Sequence, residues 1–469
     1  MTDVDYDLMI IGGGPGGYVA AIRASQLGMS VALVEDKHLG GICLNWGCIP
    51  TKALLRASEI RHMLDNVDEF GFTVSGVKMD INNITKRSRK VASQLSSGIN
   101  HLLKKNKIKV FEGFGSLVKD SSNIKKIRIK TKDNNIEKTA KNVILATGAR
   151  SRNLPFVSSD GVNIWDYKTA MTPPKLPSSL IIVGSGAIGI EFASFYNDLG
   201  VDVTIVESLP SILPNEDTDI SQIVKLNFEK RGIKIKTGSA LKSVTTKENS
   251  VSAEIITNEK VETINSEKLI LAIGIIANTE NLGLEDFNVK IDKGHVVTNE
   301  FLETDEKGVY AIGDITEGPW LAHKASHEGI LCVENIAGRK NLKPIDKTSI
   351  PGCTYCRPQV ASIGMTEAQA RSSNLNLKIG KFPFIGNGKA IALGESEGLI
   401  KTIFDKDTGE LIGAHMVGPE VTELIQGFSI AKKLETTEHE LMHTIFPHPT
   451  LSESMHESVL DAYNQAIHY

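Results

Sequence analysis

The chain has 469 residues, of which 41% are hydrophobic and 23% charged, with a formal net charge of −4. That length suits roughly three domains, and the balanced charge excludes a basic nucleic-acid surface and an acidic tail. Met1–Asp7 is acidic and the apolar stretch Leu8–Ile11 is short. The start therefore reads as neither a signal peptide nor a membrane span, and a cytoplasmic protein is expected.

Tyr6–Ile11 reads as a short buried strand, followed by Gly12-Gly13-Gly14-Pro15-Gly16-Gly17 and an alanine-rich helical stretch to Leu27-Gly28. A second strand over residues 30–34 ends at Glu35. The same pattern returns 172 residues later: a strand at 180–183, then Gly184-Ser185-Gly186-Ala187-Ile188-Gly189, a helix to Leu199-Gly200, and a strand at 201–206 ending at Glu207. The register holds without a gap, Gly12 to Glu35 and Gly184 to Glu207 each spanning 23 residues. In such a motif the first glycine (Gly12, Gly184) makes the strand-to-helix turn. The second (Gly14, Gly186) lets backbone approach a pyrophosphate, and the third (Gly17, Gly189) lets helix and strand pack closely. The diphosphate rests on the helix N-terminus, where free N–H groups and the dipole favour an anion. Glu35 and Glu207 accept hydrogen bonds from a ribose, and Glu207 disfavours a 2′-phosphate, which selects NAD over NADP at the second site. One glycine motif is weak evidence, because glycines mark ordinary turns; two with full strand-helix-strand-acid context predict two dinucleotide sites.

Between these copies, Gly40-Gly41-Ile42-Cys43-Leu44-Asn45-Trp46-Gly47-Cys48-Ile49-Pro50 places two cysteines five apart just beyond Glu35. Five cysteines do not make a secreted disulfide framework, and in a reducing compartment a lasting disulfide is more often catalytic than structural. Five residues of regular helix advance about 7.5 Å, whereas a disulfide wants Cα atoms within about 6.8 Å. A distorted turn is needed, for which Gly40, Gly41 and Gly47 supply backbone freedom. An electron-exchanging disulfide is the stronger expectation and a staple for the fold the weaker one.

Further along, residues 119–141 read as a surface β-meander whose charges form a solvated face. Strands at 142–146, 269–273 and 309–312 run into Thr147-Gly148, Gly274 and Gly313-Asp314. Ligands bind at such strand ends in open α/β sheets, although each alone suits a plain loop. Cys332 reads as a buried small hydrophobe. Cys353 and Cys356 form a CxxC without the further ligands that zinc needs, so no metal site is expected. His448 and Glu453, in His448-Pro449-Thr450-Leu451-Ser452-Glu453, suit a base and its orienting acid, since imidazole titrates near neutral pH. His443 and His456 read as ordinary histidines.

With Cys43-Leu44-Asn45-Trp46-Gly47-Cys48 followed by Pro50-Thr51-Lys52, and with the run from His448 to Glu453, the chain resembles the pyridine nucleotide-disulfide oxidoreductases over essentially its whole length. Leu321-Ala322-His323-Lys324-Ala325-Ser326-His327-Glu328-Gly329 is similar to the branch that oxidises dihydrolipoamide with NAD+. The resemblance implies an α/β fold of two Rossmann-like FAD- and NAD(P)-binding domains plus a C-terminal α+β dimerisation domain. Its regions would be an FAD-binding domain over 1–148, an NAD-binding domain over 149–275, a central domain completing the FAD site over 276–346, and an interface domain over 347–469. FAD would occupy the first fingerprint and NAD the second. Gly113 and Gly115 would lie near the adenine end, Gly313-Asp314 would hold the ribityl and diphosphate region, and Ala322 would sit near the isoalloxazine. Lys52 would approach the flavin N5 and pair with Glu191.

The resemblance further implies that a dihydrolipoamide thiolate attacks Cys43 and frees Cys48, which faces the flavin. His448 would reach the disulfide of the other subunit of a homodimer, with Glu453 fixing its tautomer. The partners would be the lipoyl domains and core of a 2-oxo acid dehydrogenase complex. A glutathione-type reductase using NADPH, or a flavin-binding scaffold without activity, are the rival expectations. Two departures stand out: Trp46 occupies a position where the family usually has a small aliphatic residue, either altering access or filling a gap. Ile275-Ile276-Ala277-Asn278-Thr279 replaces a common arginine-proline loop.

Overall fold

The computed structural model describes residues 4–120 and 124–469, which form two compact units. One comprises the chain up to Ala53 with Asn83–Arg152 and Ile275–Ile345; the other comprises Leu54–Asn82, Asn153–Gly274 and Asp346–Tyr469.

In the first unit, parallel strands lie in the order Lys109–Glu112, Val31–Glu35, Tyr6–Ile11, Asn135–Leu145 and Val309–Ala311. Met9 stands opposite Ala32 on one side and Val143 on the other. Leu8–Ile11 carries no polar side chain, as a strand covered on both faces requires. Leu8 and Ile10 pack with Leu33, Ile144 and the helix residues Ala20, Ala24 and Leu331. Met9 and Ile11 face the other way, toward Val34, Leu145, Ile127 and Ile129. Helix Pro15–Gln26 buries only small residues, Gly16, Gly17, Ala20, Ala21 and Ala24. That lets helix Ala322–Ile336 come close: a Cβ on Gly329 would stand 2.7 Å from the Gly16 carbonyl oxygen.

Strands Phe114–Val118, Lys125–Lys130 and Asn135–Leu145 form the expected antiparallel meander, while 121–123 lie outside the described residues. Its charges are not all solvated, however. Ile127 and Ile129 are fully buried, and Lys125 shares their face and is buried in an ion pair with Glu306. Alternation along the strand sends every second side chain inward whatever its charge.

The second unit repeats the parallel architecture in the order Lys234–Lys236, Asp202–Val206, Ser179–Val183, Lys268–Leu271 and Ile164–Trp165. Its fingerprint helix, Ala187–Asp198, buries large residues, Phe192, Phe195 and Tyr196, the last donating to the Ala170 carbonyl at 2.6 Å. A three-stranded meander covers residues 239–266. The C-terminal part is a five-stranded antiparallel sheet, Gly352–Thr354, Gln359–Gly364, Leu411–Gly418, Leu399–Asp405 and Leu377–Pro383, packed by helices Val421–Lys433 and Glu453–Ala462 around Phe384, Phe404 and Phe428. Buried Lys401 ties this sheet to the rest of the unit through Asp217 (2.8 Å), Asp219 and Glu367 (both 2.7 Å). The α/β class expected from the sequence, two Rossmann-like sheets followed by an α+β region, is the fold observed.

Candidate active site

Both glycine turns are built as their spacing demands. Gly12 and Gly184 have φ of +109° and +98°, and a Cβ on either would strike the carbonyl oxygen of Ala146 or Ala272 at 2.2 and 2.3 Å. A Cβ on Gly17 would lie 1.9 Å from the Gly12 oxygen, and one on Gly189 2.0 Å from the Gly184 oxygen. The middle glycines differ: a Cβ on Gly14 would meet only Gly41 Cα at 3.9 Å, and one on Gly186 nothing within 4 Å. Each is the N-cap of a helix that no side chain caps. Open backbone N–H groups with room in front of them are the cradle a diphosphate fills, so the residues fit a dinucleotide at both turns.

The acids at the strand ends serve the turns as well. Glu35 accepts the Gly13 N–H at 2.6 Å through Oε2, and those of Lys37 and His38 at 2.8 and 3.0 Å through Oε1. Glu207 is buried and accepts four donors: the Ser185 N–H and hydroxyl at 2.8 and 2.7 Å, the Leu209 N–H at 2.8 Å and the Ser208 hydroxyl at 3.2 Å. A carboxylate offers about four acceptor sites. A ribose at Glu207 must therefore replace a hydroxyl, whereas Glu35 retains an acceptor site.

The cysteine pair sits where a helix breaks. Gly41–Trp46 is a six-residue helix carrying Cys43, and Cys48 opens the next helix, Cys48–Asp65. Gly47 forms the break, and a Cβ there would stand 3.1 Å from the Ile42 carbonyl oxygen. Both cysteines are thiols here, Cys48 exposed and Cys43 half-buried. The hydrogen bond with Cys48 and burial push the Cys43 thiol well above its usual range, while the nearby Lys52 ammonium works the other way. Asp314 also acts on Cys43, and burial raises its own carboxyl against the pull of Lys324. Cys43, Cys48, Lys52 and Asp314 thus belong to one electrostatic neighbourhood.

Other expected positions have definite local roles. The Gly113 N–H donates to the Glu35 carbonyl at 2.9 Å, and Gly115 packs against Ile11 and Val34. The Gly313 N–H donates to buried Glu328, and Ala322 begins helix Ala322–Ile336, whose N-cap makes no side-chain hydrogen bond. The Thr147 hydroxyl donates to the Asn278 carbonyl at 2.7 Å, while the Asn278 N–H reaches the Gly148 carbonyl at 2.9 Å. The loop that departs from the family habit is therefore stitched to the Thr147-Gly148 turn. In the second unit, Gly274 follows the strand Lys268–Leu271 with open space where a Cβ would stand, and buried Glu191 accepts the Tyr355 N–H at 2.9 Å. Cys332 is fully buried, and no cluster of three or more metal-ligating side chains occurs among the described residues.

His448 Nδ1 lies 2.8 Å from Glu453 Oε1, and the Thr450 N–H donates to Glu453 Oε2 at 2.8 Å. Burial works to raise the Glu453 carboxyl, but the Thr450 N–H and His448 more than offset it and hold it below the usual range. An ionised carboxylate only accepts, so Nδ1 carries the proton and Nε2 is left to act as base. The imidazole is 80% exposed.

One element near the cysteines escapes sequence reasoning, the helix Ile81–Lys105. It donates to four carbonyls of the cysteine segment: Ser96 to Leu39 (2.6 Å), Arg89 to Asn45 (2.6 Å), Ser88 to Pro50 (3.0 Å) and Arg87 to Ala53 (3.3 Å). Its inward face, Ser88, Ala92, Ile99 and Leu103, is spaced for a helix and is the only signal that could have found it.

Residues 6–329 match the family model described as pyridine nucleotide-disulphide oxidoreductase, and residues 350–459 match the dimerisation domain of that family, which supports a homodimer. The chain is 53% identical over 465 residues to a dihydrolipoyl dehydrogenase of Zymomonas mobilis, with 99% of each chain covered. It is 43% identical to that of Bacillus subtilis over 473 residues, again with 99% of each covered. Among solved structures, LpdA from Mycobacterium tuberculosis aligns with a TM-score of 0.90 at 28% identity, covering 96% of this chain and 98% of that one. The flavoprotein disulfide reductase RclA from Escherichia coli aligns at 0.86 and 25% identity, covering 97% and 98%. No helix among the described residues is long and apolar enough to cross a membrane. The chain belongs to the pyridine nucleotide-disulphide oxidoreductase family.

Proposed function

We infer that this chain is a dihydrolipoyl dehydrogenase, oxidising dihydrolipoamide to lipoamide and reducing NAD+ to NADH. The observation that carries the reading is the Cys43–Cys48 pair, hydrogen-bonded across a break in a helix and directly downstream of a nucleotide turn. Gly12, Gly14, Gly17 and Glu35 would hold FAD, and Gly184, Gly186, Gly189 and Glu207 would hold NAD. FAD, when bound, supplies the route for the electron pair between sulfur and nicotinamide.

The residues account for the sulfur chemistry. His448 Nε2 takes a proton from a dihydrolipoamide thiol, and the resulting thiolate attacks Cys43 of the oxidised pair. The Cys43–Cys48 bond breaks and its electrons leave on Cys48, the exposed member that the flavin would cover. The second substrate thiol then attacks the substrate sulfur of the mixed disulfide, closing lipoamide as Cys43 leaves and takes up that thiol's proton, so that Cys43 is released as a thiol beside the Cys48 thiolate. Two electrons and two protons have passed from substrate to protein. Glu453 stabilises the imidazolium that forms and keeps the ring oriented. By the family's arrangement His448 serves the cysteines of the other subunit, so the working unit is the homodimer. The lipoyl domains of a 2-oxo acid dehydrogenase complex present the substrate, in the cytoplasm. The chain divides into the four segments drawn from the resemblance, with 347–469 forming the interface. Buried Glu207, a carboxylate where a 2′-phosphate would lie, favours this reading over a glutathione-type reductase using NADPH.

Steady-state NAD+ reduction by dihydrolipoamide, run beside NADPH oxidation by glutathione disulfide, tests the assignment: activity in the second assay alone rejects it. Glu453→Gln should lower dihydrolipoamide turnover about 10²–10⁴-fold, the usual worth of a positioned base. NADH oxidation by ferricyanide, which needs no cysteine, should stay within about twofold of the unsubstituted enzyme.

A further inference from the structure

We propose that Arg89 is a positioning residue for the Cys43–Cys48 pair and that Trp46 is the seat on which it works. The proposal rests on the reading of that pair as the redox centre.

The residues between the two sulfurs are Leu44, Asn45, Trp46 and Gly47. Leu44 is anchored in the core, and the Asn45 side chain ties back to the carbonyls of Leu39 and Gly41 at 3.0 and 2.9 Å. The Gly47 carbonyl accepts the Thr51 hydroxyl at 2.7 Å and the Thr51 N–H at 3.1 Å, and one guanidinium holds the stretch between. Arg89 Nη1 donates to the Asn45 carbonyl at 2.6 Å, and Arg89 Cζ lies 4.3 Å from the centre of the Trp46 ring. The other donors of helix Ile81–Lys105 meet carbonyls outside the pair, at Leu39, Pro50 and Ala53. Of that helix's four donors to the segment, Arg89 is the one that meets a carbonyl between the cysteines.

The contact needs an arginine and an aromatic ring. A planar guanidinium can stack on an aromatic face while one edge N–H points at a carbonyl; an ammonium is a point charge and cannot do both. Arg89 Nε and Nη2 are buried and have no hydrogen-bond partner among the described residues. The indole face and the Asn45 carbonyl are therefore what hold the group. A small aliphatic residue at position 46, the family's habit, would remove the face.

The consequence follows from what the pair must do. Its sulfurs stand about 2.05 Å apart when bonded and separate on reduction, so the bridge must keep both in register through each cycle. A half-buried cation on the bridge also favours the reduced form, which carries the thiolate released when the bond breaks. Removing the cation or its seat should shift the pair toward the disulfide.

The test is an equilibrium titration of the holoenzyme in buffers of set lipoamide to dihydrolipoamide ratio, followed by alkylation and mass counting of modified cysteines. Each dihydrolipoamide gives up two electrons and two protons and closes its ring disulfide as the Cys43–Cys48 bond opens, one proton going to Cys43, the other to the His448 base, and Cys48 staying as the thiolate. For Arg89→Ala and Arg89→Met, the equilibrium constant should move toward the disulfide about 3- to 10-fold, the upper value being about 30 mV for a two-electron couple. Trp46→Val should shift the same way, and Trp46→Phe, which keeps a ring face, should stay within about twofold. The double variant Arg89→Ala/Trp46→Val should shift no further than the larger single effect, since each removes the same contact. Shifts within twofold for Arg89→Ala and Trp46→Val, or shifts that simply add, overturn the proposal. If Arg89→Ala does not fold, Trp46→Val and Trp46→Phe decide it. A wild-type pair that fails to titrate against lipoamide rejects the functional reading itself; one that titrates while the variants do not move rejects only the role of Arg89.

Discussion

The two fingerprints share every turn glycine and the same 23-residue span, yet they are finished differently. At residues 12–35 the acid has three backbone donors and a remaining acceptor site, and the chain runs straight on into the cysteine segment. At residues 184–207 the acid is buried under four donors, two of them hydroxyls. The first helix packs through glycine and alanine against another helix, while the second packs through phenylalanine and tyrosine. Duplicated turn chemistry can therefore be set into unrelated cores. One copy runs on into the cysteine pair, and the other ends in a carboxylate already filled by donors of its own turn.

Separating the duties of the three glycines should give the largest effects. Gly17→Ala and Gly189→Ala force a Cβ to within 1.9 and 2.0 Å of a carbonyl oxygen, so each should lose about 3 kcal/mol or more in urea unfolding. Gly14→Ala and Gly186→Ala should stay within about 1 kcal/mol yet weaken nucleotide binding about tenfold or more. Equal destabilisation by Gly186→Ala and Gly189→Ala would show that the middle glycine serves the fold rather than a ligand.

The acids should separate next. Glu207→Gln leaves buried donors short of an acceptor and should cost about 1–3 kcal/mol while raising the KM for NAD+, whereas Glu35→Gln should cost about 1 kcal/mol or less. Matching losses in the two variants would erase the distinction drawn from burial.

The smallest effect concerns the bases of the two sheets. Lys141, then the Ser30 N–H and hydroxyl, hold the Asp7 carboxyl down at about 2. In the second unit the Ser178 N–H, against burial, holds Glu267 below its usual range. Both pKa values are depressed on folding, so each carboxylate contributes stability above the unfolded pKa, and that contribution is lost as pH falls through the folded one. Asp7 is partly exposed, and the effect should be below about 1 kcal/mol. Melting temperatures of Asp7→Asn and Glu267→Gln between pH 5 and pH 2.5 should fall less steeply than those of the unsubstituted chain; parallel curves would remove these groups from the acid limb.

The turns, the acids and the His448–Glu453 pair were legible because each is a local pattern of distinctive residue types. Thr450 could not be read as the second support of Glu453, since it acts through its backbone N–H. The same blindness hid helix Ile81–Lys105, whose targets are carbonyls that any residue presents. Lys125 is illegible for another reason: its charge suggests solvent, while Glu306, which makes it tolerable inside, lies far off in the sequence. The departure at Ile275–Thr279 took its meaning only from Thr147 and Gly148, which Asn278 binds across a long stretch of chain.

The strand Val309–Ala311 and the helix Ala322–Ile336 bear on how the molecule is made. That strand pairs with Asn135–Leu145, and that helix packs on the helix of the first glycine turn. The first nucleotide turn to leave the ribosome therefore waits for chain beyond residue 322, while the parallel sheet around the second turn needs nothing beyond Leu271. The turn encoded first is completed after the sheet of the second, and its small-residue helix must stay uncommitted through most of translation.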